Sequence, residues 1–467
     1  MLASVPACRG AGPFDNLHGM STTGAISRIV KRNGNIVAYN RERITNAILK
    51  AVSSTGAPDR AVAESMAEKV EAALTQAYSG EMSPSVEDIQ DIVERVLLDN
   101  GLIKIAHSYI AYRRQRAILR ATRAYSFEIT DNIPYKKIYE VLVWNMAHRC
   151  ESVEGLNAII DGGNLPDLVR AAEQRYTDEV GLAAQAIVAR AAELRLVIVA
   201  GPSSSGKTTT TIKVGEALQS VGLRLKALNI DHYFFDLEKH PRDEFGDYDY
   251  EAPQSLDLDL INQHLEQLLA GQTVRTPFYN FKTGRRTLEA QEMSLAKNEV
   301  LLLDSLHGLY DDMTRAVPAA SKYRLYVETL GQLRAADGTF MRWADNRLLR
   351  RMIRDKNHRN LQPMGTLTHW HYVRRSELKH IIPFIGHADF VLNTALPYEL
   401  PILKARLWHH IPDAIERFKD DPHRQDAYVR AMRVHDLLAP IRELTDDACV
   451  PEDSLLREFI GGSRYRY

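Results

Sequence analysis

The chain has 467 residues, 59 Lys+Arg against 60 Asp+Glu, and 45% hydrophobic side chains. That length exceeds one ordinary core and predicts two or three domains, and the balanced charge gives no global pull toward nucleic acid or an anionic membrane surface. Cys8, Cys150 and Cys449 are too few and too far apart for a disulfide framework or a zinc ribbon, and no apolar run approaches the roughly 18–20 residues that span a bilayer, so a soluble, cytoplasmic protein with no membrane or nucleic-acid partner is expected.

Residues 1–25 are small and polar, without periodicity and without the charged start and apolar middle of a secretory signal. They predict a disordered leader; Met20 offers an alternative start, and an organelle address is the competing reading.

Residues 26–120 predict a small α+β module. "ISRIVKRNGNIVAYN" alternates apolar and polar residues on either side of Asn33-Gly34, a strong hairpin signal. Ile44, Ala47, Ile48, Ala51 and Val52 follow helical spacing. A further helix opens with Ser85 and Asp88 as a capping box and carries Ile89, Ile92, Val93, Val96 and Leu97 on one face. "SYIAYRRQRAILR" closes the module with a basic helix, so Lys31, Arg32, Arg113, Arg114 and Arg116 are available to an anion. The basic hairpin "VKRNG", the helix start "RERITNAI" and the ending "AYRRQRA" resemble the ATP-cone, a nucleotide-sensing module known at the front of ribonucleotide reductases. The resemblance implies a nucleotide held by Val30, Lys31, Arg32 and Arg43, with ATP or dATP as effector and a change of homo-oligomeric state as the response.

Residues 121–193 read as a helical connector, clearest in "IYEVLVWNMAHR" and "EVGLAAQAIVARAAEL". From residue 194 to 467, short apolar runs ("LRLVIVAG", "LKALNID", "VLLLDS", "YRLYVE", "ADFVLN") alternate with helical patterns. That order predicts an α/β fold with a mostly parallel sheet flanked by helices, and ligands in such folds bind at the carboxyl ends of the strands.

The first of those strands runs into "GPSSSGKTT", which satisfies G-x-x-x-x-G-K-[ST] between a strand and a helix. Gly201, Ser203, Ser204, Ser205, Gly206, Lys207, Thr208 and Thr209 are therefore expected to cradle the phosphates of ATP. In that cradle Lys207 neutralises the outer phosphates and the Thr208 hydroxyl turns to Mg²⁺. Asp231 follows "LKALNI" at a strand end, where a carboxylate can take the proton of an acceptor hydroxyl. Asp304 ends "VLLLD", the usual place of an acid in the Mg²⁺ water shell. In "DNRLLRRMIRD", Arg347, Arg350, Arg351 and Arg354 fall on one side of a helix, as in a lid closing on phosphates; a solvated basic face is the alternative.

Together these motifs resemble the uridine kinase and phosphoribulokinase family of P-loop kinases. The ending "DSLLREFIGGS" (453–463) is similar to that of a bacterial uridine-kinase-like branch. The resemblance implies Asp231 as base with Tyr233 as its aromatic neighbour, and Tyr248 and Asp249 at the ribose hydroxyls. It also implies Tyr279 and Phe281 as base-stacking aromatics and Arg350, Arg354 and Arg359 in the lid. Lys207, Asp231, Arg350 and Arg354 form the expected catalytic set, with Arg347 and Arg359 at the substrate and Thr208 and Asp304 at the metal. Two positions depart from the family: Gly284 stands where nucleoside kinases carry a base-reading histidine, and Asp304 with Ser305 replaces the usual Glu-Gly. His369 and His371 lack a third metal ligand in the sequence and read as ordinary histidines.

The expected activity is transfer of the γ-phosphate of ATP to a nucleoside hydroxyl. One alternative is a phosphorylated sugar or sugar acid as acceptor, bound by Arg242, Arg285 and Arg286. The other is a regulatory ATP-binding protein with little turnover.

Overall fold

The computed structural model describes residues 26–31, 36–57, 59–78, 83–125, 132–241, 251–280, 283–335, 337–359, 361–421 and 424–466. Arg32, Asn33, Gly34, Arg242, Tyr248, Asp249 and Phe281 lie outside the described residues, as do the side chains of Arg116 and Arg359. The chain divides into two compact units, one built on residues before 127 and one on residues 127–419 and 426–467.

In the first unit the alternating segments become β1 (Arg28–Val30) and β2 (Ile36–Ala38), paired antiparallel with Ile29 opposite Val37. Helix α1 (Arg41–Thr55) starts where the Asn40 side chain accepts from the Glu42 amide at 2.9 Å, and it buries Ile44, Ile48, Ala51 and Val52 as their spacing predicts. Helix α2 (Arg60–Ala77) has no clear signal in the sequence pattern, because its buried face of Ala63, Met66, Ala67, Val70 and Leu74 mixes small residues into the apolar stripe. Helix α3 (Val86–Asp99) opens with both halves of the capping box: Asp88 N donates to Ser85 Oγ at 3.1 Å and Ser85 N to Asp88 Oδ2 at 2.8 Å. Helix α4 (Ile103–Tyr125) completes the unit.

The second unit begins with α5 (Tyr135–Ala147), α6 (Val153–Asp161) and α7 (Leu165–Val188). The expected connector is thus more than a link. Tyr176, Val180, Ala183 and Ile187 of α7 share one hydrophobic cluster with Val197 and Val199 of the central strand. The alternation continues through β3 (Leu196–Ala200), α8 (Lys207–Ser220), β4 (Arg224–Asn229), α9 (Leu258–Leu269), the antiparallel hairpin β5 (Val274–Asn280) and β6 (Arg285–Met293), and β7 (Glu299–Ser305). It closes with β8 (Lys322–Glu328), α10 (Trp343–Arg359), α11 (Pro363–His380), β9 (Phe390–Asn393), α12 (Glu399–Leu407), α13 (His410–Phe418), α14 (Gln425–Leu438) and α15 (Arg457–Ile460).

Five strands form a parallel sheet in the order β4-β7-β3-β8-β9. Every residue of β3 is buried, as befits a central parallel strand covered on both faces. Val197 and Val199 point to the α7 and α8 side, while Leu196, Ile198 and Ala200 meet Ile261, Leu265 and Leu268 of α9. The loop after β3 therefore leaves the middle of the sheet, flanked by the ends of β7 and β8. Among the described residues no helix is long and apolar enough to cross a membrane.

Candidate active site

The loop 201–206 is shaped by close packing and by two left-handed residues. A Cβ on Gly201 would stand 2.2 Å from the Val327 carbonyl oxygen, so only glycine lets β3 turn here. Ser204 has φ 61° and Gly206 φ 85°, the alternation that turns successive amides into an anion-binding concavity. The hydroxyls of Ser204 and Ser205 are buried with no hydrogen-bond partner among the described residues, an arrangement that phosphate oxygens would complete. Lys207 Nζ donates to the Pro202 carbonyl at 3.3 Å. Burial lowers the pKa of its ammonium group, against the pull of Asp304, Glu458 and Asp231. Thr208 is exposed on the first turn of α8.

Asp304 lies beside the loop because β7 neighbours β3, with Asp304 opposite Val199. Burial raises its carboxyl pKa, Lys207 opposes that, and Thr211 Oγ1 donates to its Oδ2 at 3.5 Å. Asp231 sits just past β4 in a tight turn, Ile230–Tyr233, where its amide donates to the Asn229 side chain at 3.0 Å. Its strand neighbours β7 rather than β3, yet Asp231 and Lys207 line one cleft. That cleft has a volume of about 230 Å³ and also presents Ser203, Ser204, Arg351 and Arg354.

The arginine helix needs correction. Arg347 and Arg350 are not in a lid; both are buried inside the protein. Arg347 Nε pairs with Glu328 at 2.8 Å and its Nη2 with Glu377 at 3.0 Å, while Nη1 donates to the Ser203 carbonyl at 3.2 Å. Arg350 makes a forked pair with Glu399 at 2.6 and 3.0 Å and donates to the Thr394 carbonyl at 2.6 Å. Their cations are balanced from within, so they brace the loop from behind. Arg351 and Arg354 face the cleft, and Arg351 Nη1 donates to Ser203 Oγ at 2.9 Å.

Two aromatics are also displaced from their expected roles. Tyr233 is fully buried and shares a hydrogen bond with His264 Nδ1 at 2.8 Å, because the tight turn points it into the core. Phe234 lines the cleft instead. Tyr279 is buried, with its ring 5.6 Å from that of Phe234, so it backs the wall rather than offering a face for stacking. Gly284, with φ 66°, closes the β5–β6 hairpin, and a Cβ there would be 3.2 Å from Leu237 Cβ. A histidine at 284 would be both strained and crowded, which accounts for the departure. His307, absent from the expected site residues, also lines the cleft; its Nε2 donates to the Glu251 carbonyl at 2.8 Å, and burial pushes its pKa down to about 4. Its signal was the "DSLHG" following the Asp304 strand. His371 Nδ1 lies 3.3 Å from Asp426, and no group of three metal-ligating side chains occurs among the described residues.

In the first unit, Lys31 and Arg43 line a cavity of about 460 Å³ together with Tyr39, Asn40 and Gln90. Val30 is not among its lining residues; its amide donates to the Pro84 carbonyl at 2.9 Å. Arg113 is tied to Asp91 at 2.6 Å and Glu94 at 2.8 Å rather than left for an anion.

Comparison with known proteins agrees with this division. Residues 27–118 match the ATP cone domain and residues 196–398 the Phosphoribulokinase / Uridine kinase family. A uridine kinase of Deinococcus deserti is 30% identical over 195 residues, covering 42% of this chain and 84% of the relative. A uridine kinase of Halobacterium salinarum is 27% identical over 195 residues, covering 42% and 77%. Among solved structures, D-glycerate 3-kinase of Cryptococcus neoformans aligns with 57% of this chain and 90% of its own, at 14% identity and a TM-score of 0.27. The glycine-rich turn, the acid-ended strands, the two domain matches and the Deinococcus deserti relative lead to one conclusion: the chain belongs to the phosphoribulokinase/uridine kinase family, with an ATP-cone domain at its front.

Proposed function

We propose that this phosphotransferase moves the γ-phosphate of ATP to a hydroxyl of a nucleoside, with Asp231 as general base. The observation that carries the reading is the shared cleft, in which Lys207 and the loop serines face Asp231 while Arg351 and Arg354 contribute positive charge. In the reaction Asp231 accepts the hydroxyl proton as the acceptor oxygen bonds to the γ-phosphorus. The bond from that phosphorus to the β,γ-bridging oxygen breaks, and ADP leaves. Lys207, Arg351 and Arg354 stabilise the charge spreading over the transferring group. Thr208 and Asp304 fit a Mg²⁺ ion held mostly by phosphates and water, for which one carboxylate and one hydroxyl suffice. When bound, that ion would neutralise phosphate charge.

A nucleoside is favoured over a phosphorylated sugar because the two described arginines of the set expected to bind such an acceptor, Arg285 and Arg286, are engaged. Arg285 pairs with Glu238 at 2.8 Å, and Arg286 with Asp257 at 2.8 Å. ADP release measured across nucleosides, sugars and sugar phosphates tests the reading. A nucleoside should support turnover, and Asp231→Asn should lower kcat by about 100-fold or more. Nucleotide binding without transfer to any acceptor would overturn it in favour of a regulatory protein.

We further propose that ATP or dATP binds the cavity lined by Lys31 and Arg43 and regulates the kinase. Coupling of this kind is typically worth about 1–3 kcal/mol. Kinetics and sedimentation of the full chain with and without dATP test it. A response equal in the wild type and in Lys31→Ala/Arg43→Ala would refute it.

A further inference from the structure

The "DSLLREFIGGS" ending, which the reaction described above does not use, runs directly against the phosphate loop. Leu455 packs on Gly206 so closely that a Cβ there would lie 2.6 Å from Leu455 Cδ1. Lys213 on α8 pairs with Asp453 at 3.2 Å. Leu455 and Phe459 join the core cluster on the α8 face of the sheet, and Leu456 joins the neighbouring one. Arg457 fastens the segment by donating to the Val450 carbonyl at 2.7 Å and the Asp447 carbonyl at 3.0 Å. From this anchored backbone the Glu458 side chain reaches the first turn of α8. Its Oε2 accepts from the Thr209 amide at 3.2 Å and from Thr209 Oγ1 at 2.7 Å.

Thr209 is the third residue of α8, so its amide belongs to the set that has no acceptor within the helix. Such amides are the donors with which a helix N-terminus after a glycine-rich loop binds phosphate. Glu458 is buried, and its charge is felt by both Lys207 and Asp304. A carboxylate oxygen and a phosphate oxygen cannot occupy one amide and one hydroxyl together.

We propose that the Glu458 carboxylate stands in for a nucleotide phosphate at Thr209 and must be displaced before ATP seats fully, making it an internal competitor that weakens the loop's affinity. The proposal rests on the reading of 201–209 as the ATP site. Only the side chain has to move, because the backbone around it is held in the core. ATP affinity is then set by residues far from the loop in sequence, and a relative lacking this ending would bind nucleotide more tightly through the same loop.

Calorimetric titration of the full chain with ADP and with inorganic tripolyphosphate tests this. Glu458→Ala should bind both probes about tenfold more tightly or better, since a charge-assisted pair no longer opposes them. Glu458→Gln, which keeps the shape and drops the charge, should show a smaller gain in the same direction and carries the test if the alanine variant does not fold. Asp453→Ala removes another acid of the same segment, one paired with Lys213 rather than with Thr209, and should leave affinity unchanged. Wild-type binding with no gain in either Glu458 variant, or an equal gain in Asp453→Ala, overturns the proposal. Absence of binding in wild type and variants alike overturns the ATP-site reading itself.

Discussion

Replacing Arg350 with leucine separates bracing from chemistry. The guanidinium is fully buried and holds Glu399 through contacts at 2.6 and 3.0 Å. Without it the Glu399 carboxylate keeps, among the described residues, the Asn346 side chain at 2.8 Å and the Leu396 amide at 2.9 Å, both neutral donors. Removing one partner of a buried ion pair costs about 3–5 kcal/mol, because the other charge is left uncompensated. Total stability is typically about 5–15 kcal/mol, and each kcal/mol moves Tm by about 2–4 °C in a domain of moderate size, so Tm should fall by on the order of 10 °C. The loop should also loosen, since Arg350 holds Thr394, whose hydroxyl donates to the Ser205 carbonyl at 2.5 Å. The assay is urea unfolding beside turnover at saturating ATP, corrected for the folded fraction. Arg350→Leu should lose stability and keep kcat within a few fold, and Arg350→Leu/Glu399→Leu should regain most of the loss. A variant with wild-type stability and abolished turnover would refute the reasoning and return Arg350 to the phosphates.

Three further outcomes are expected. Arg354→Ala, which takes a cation from the cleft, should lower kcat by about 100-fold with Tm nearly unchanged, read by ADP release and calorimetry. His307 is neutral when folded and titrates at about 4 instead of 6.5; stability is full above pH 6.5 and is lost as pH falls toward 4. The loss should approach ~3 kcal/mol, and His307→Gln, whose amide can still donate to the Glu251 carbonyl, should flatten that slope in pH-dependent unfolding. Gly284→His should cost roughly 1–3 kcal/mol from its positive φ, measured by thermal unfolding, instead of restoring base recognition without penalty.

The parts of the fold written in local pattern were legible. Each of the five parallel strands announced itself as a short apolar run, and the loop after β3 did so by its glycines and lysine. What escaped depends on partners remote in sequence. Spacing placed Arg347, Arg350, Arg351 and Arg354 on one helix, but which of them turn inward is decided by Glu328, Glu377 and Glu399, contributed by β8, α11 and α12. The direction of Tyr233 hangs on one tight turn and on His264, thirty-one residues later. Small residues blurred the apolar stripe of α2, and nothing local in "LLREFI" says that its glutamate meets a threonine 249 positions earlier.

The hydrogen bond between Tyr176 and Thr210, 2.8 Å long and buried, joins the helix before the sheet to the helix that carries the phosphate loop. The segment that matches the family opens at residue 196, but α7, packed on the same sheet through Tyr176, Val180, Ala183 and Ile187, begins at Leu165. A fragment trimmed to that boundary at 196 would bare one side of its own sheet. Here the stretch shared with the family is shorter than the stretch packed around its sheet.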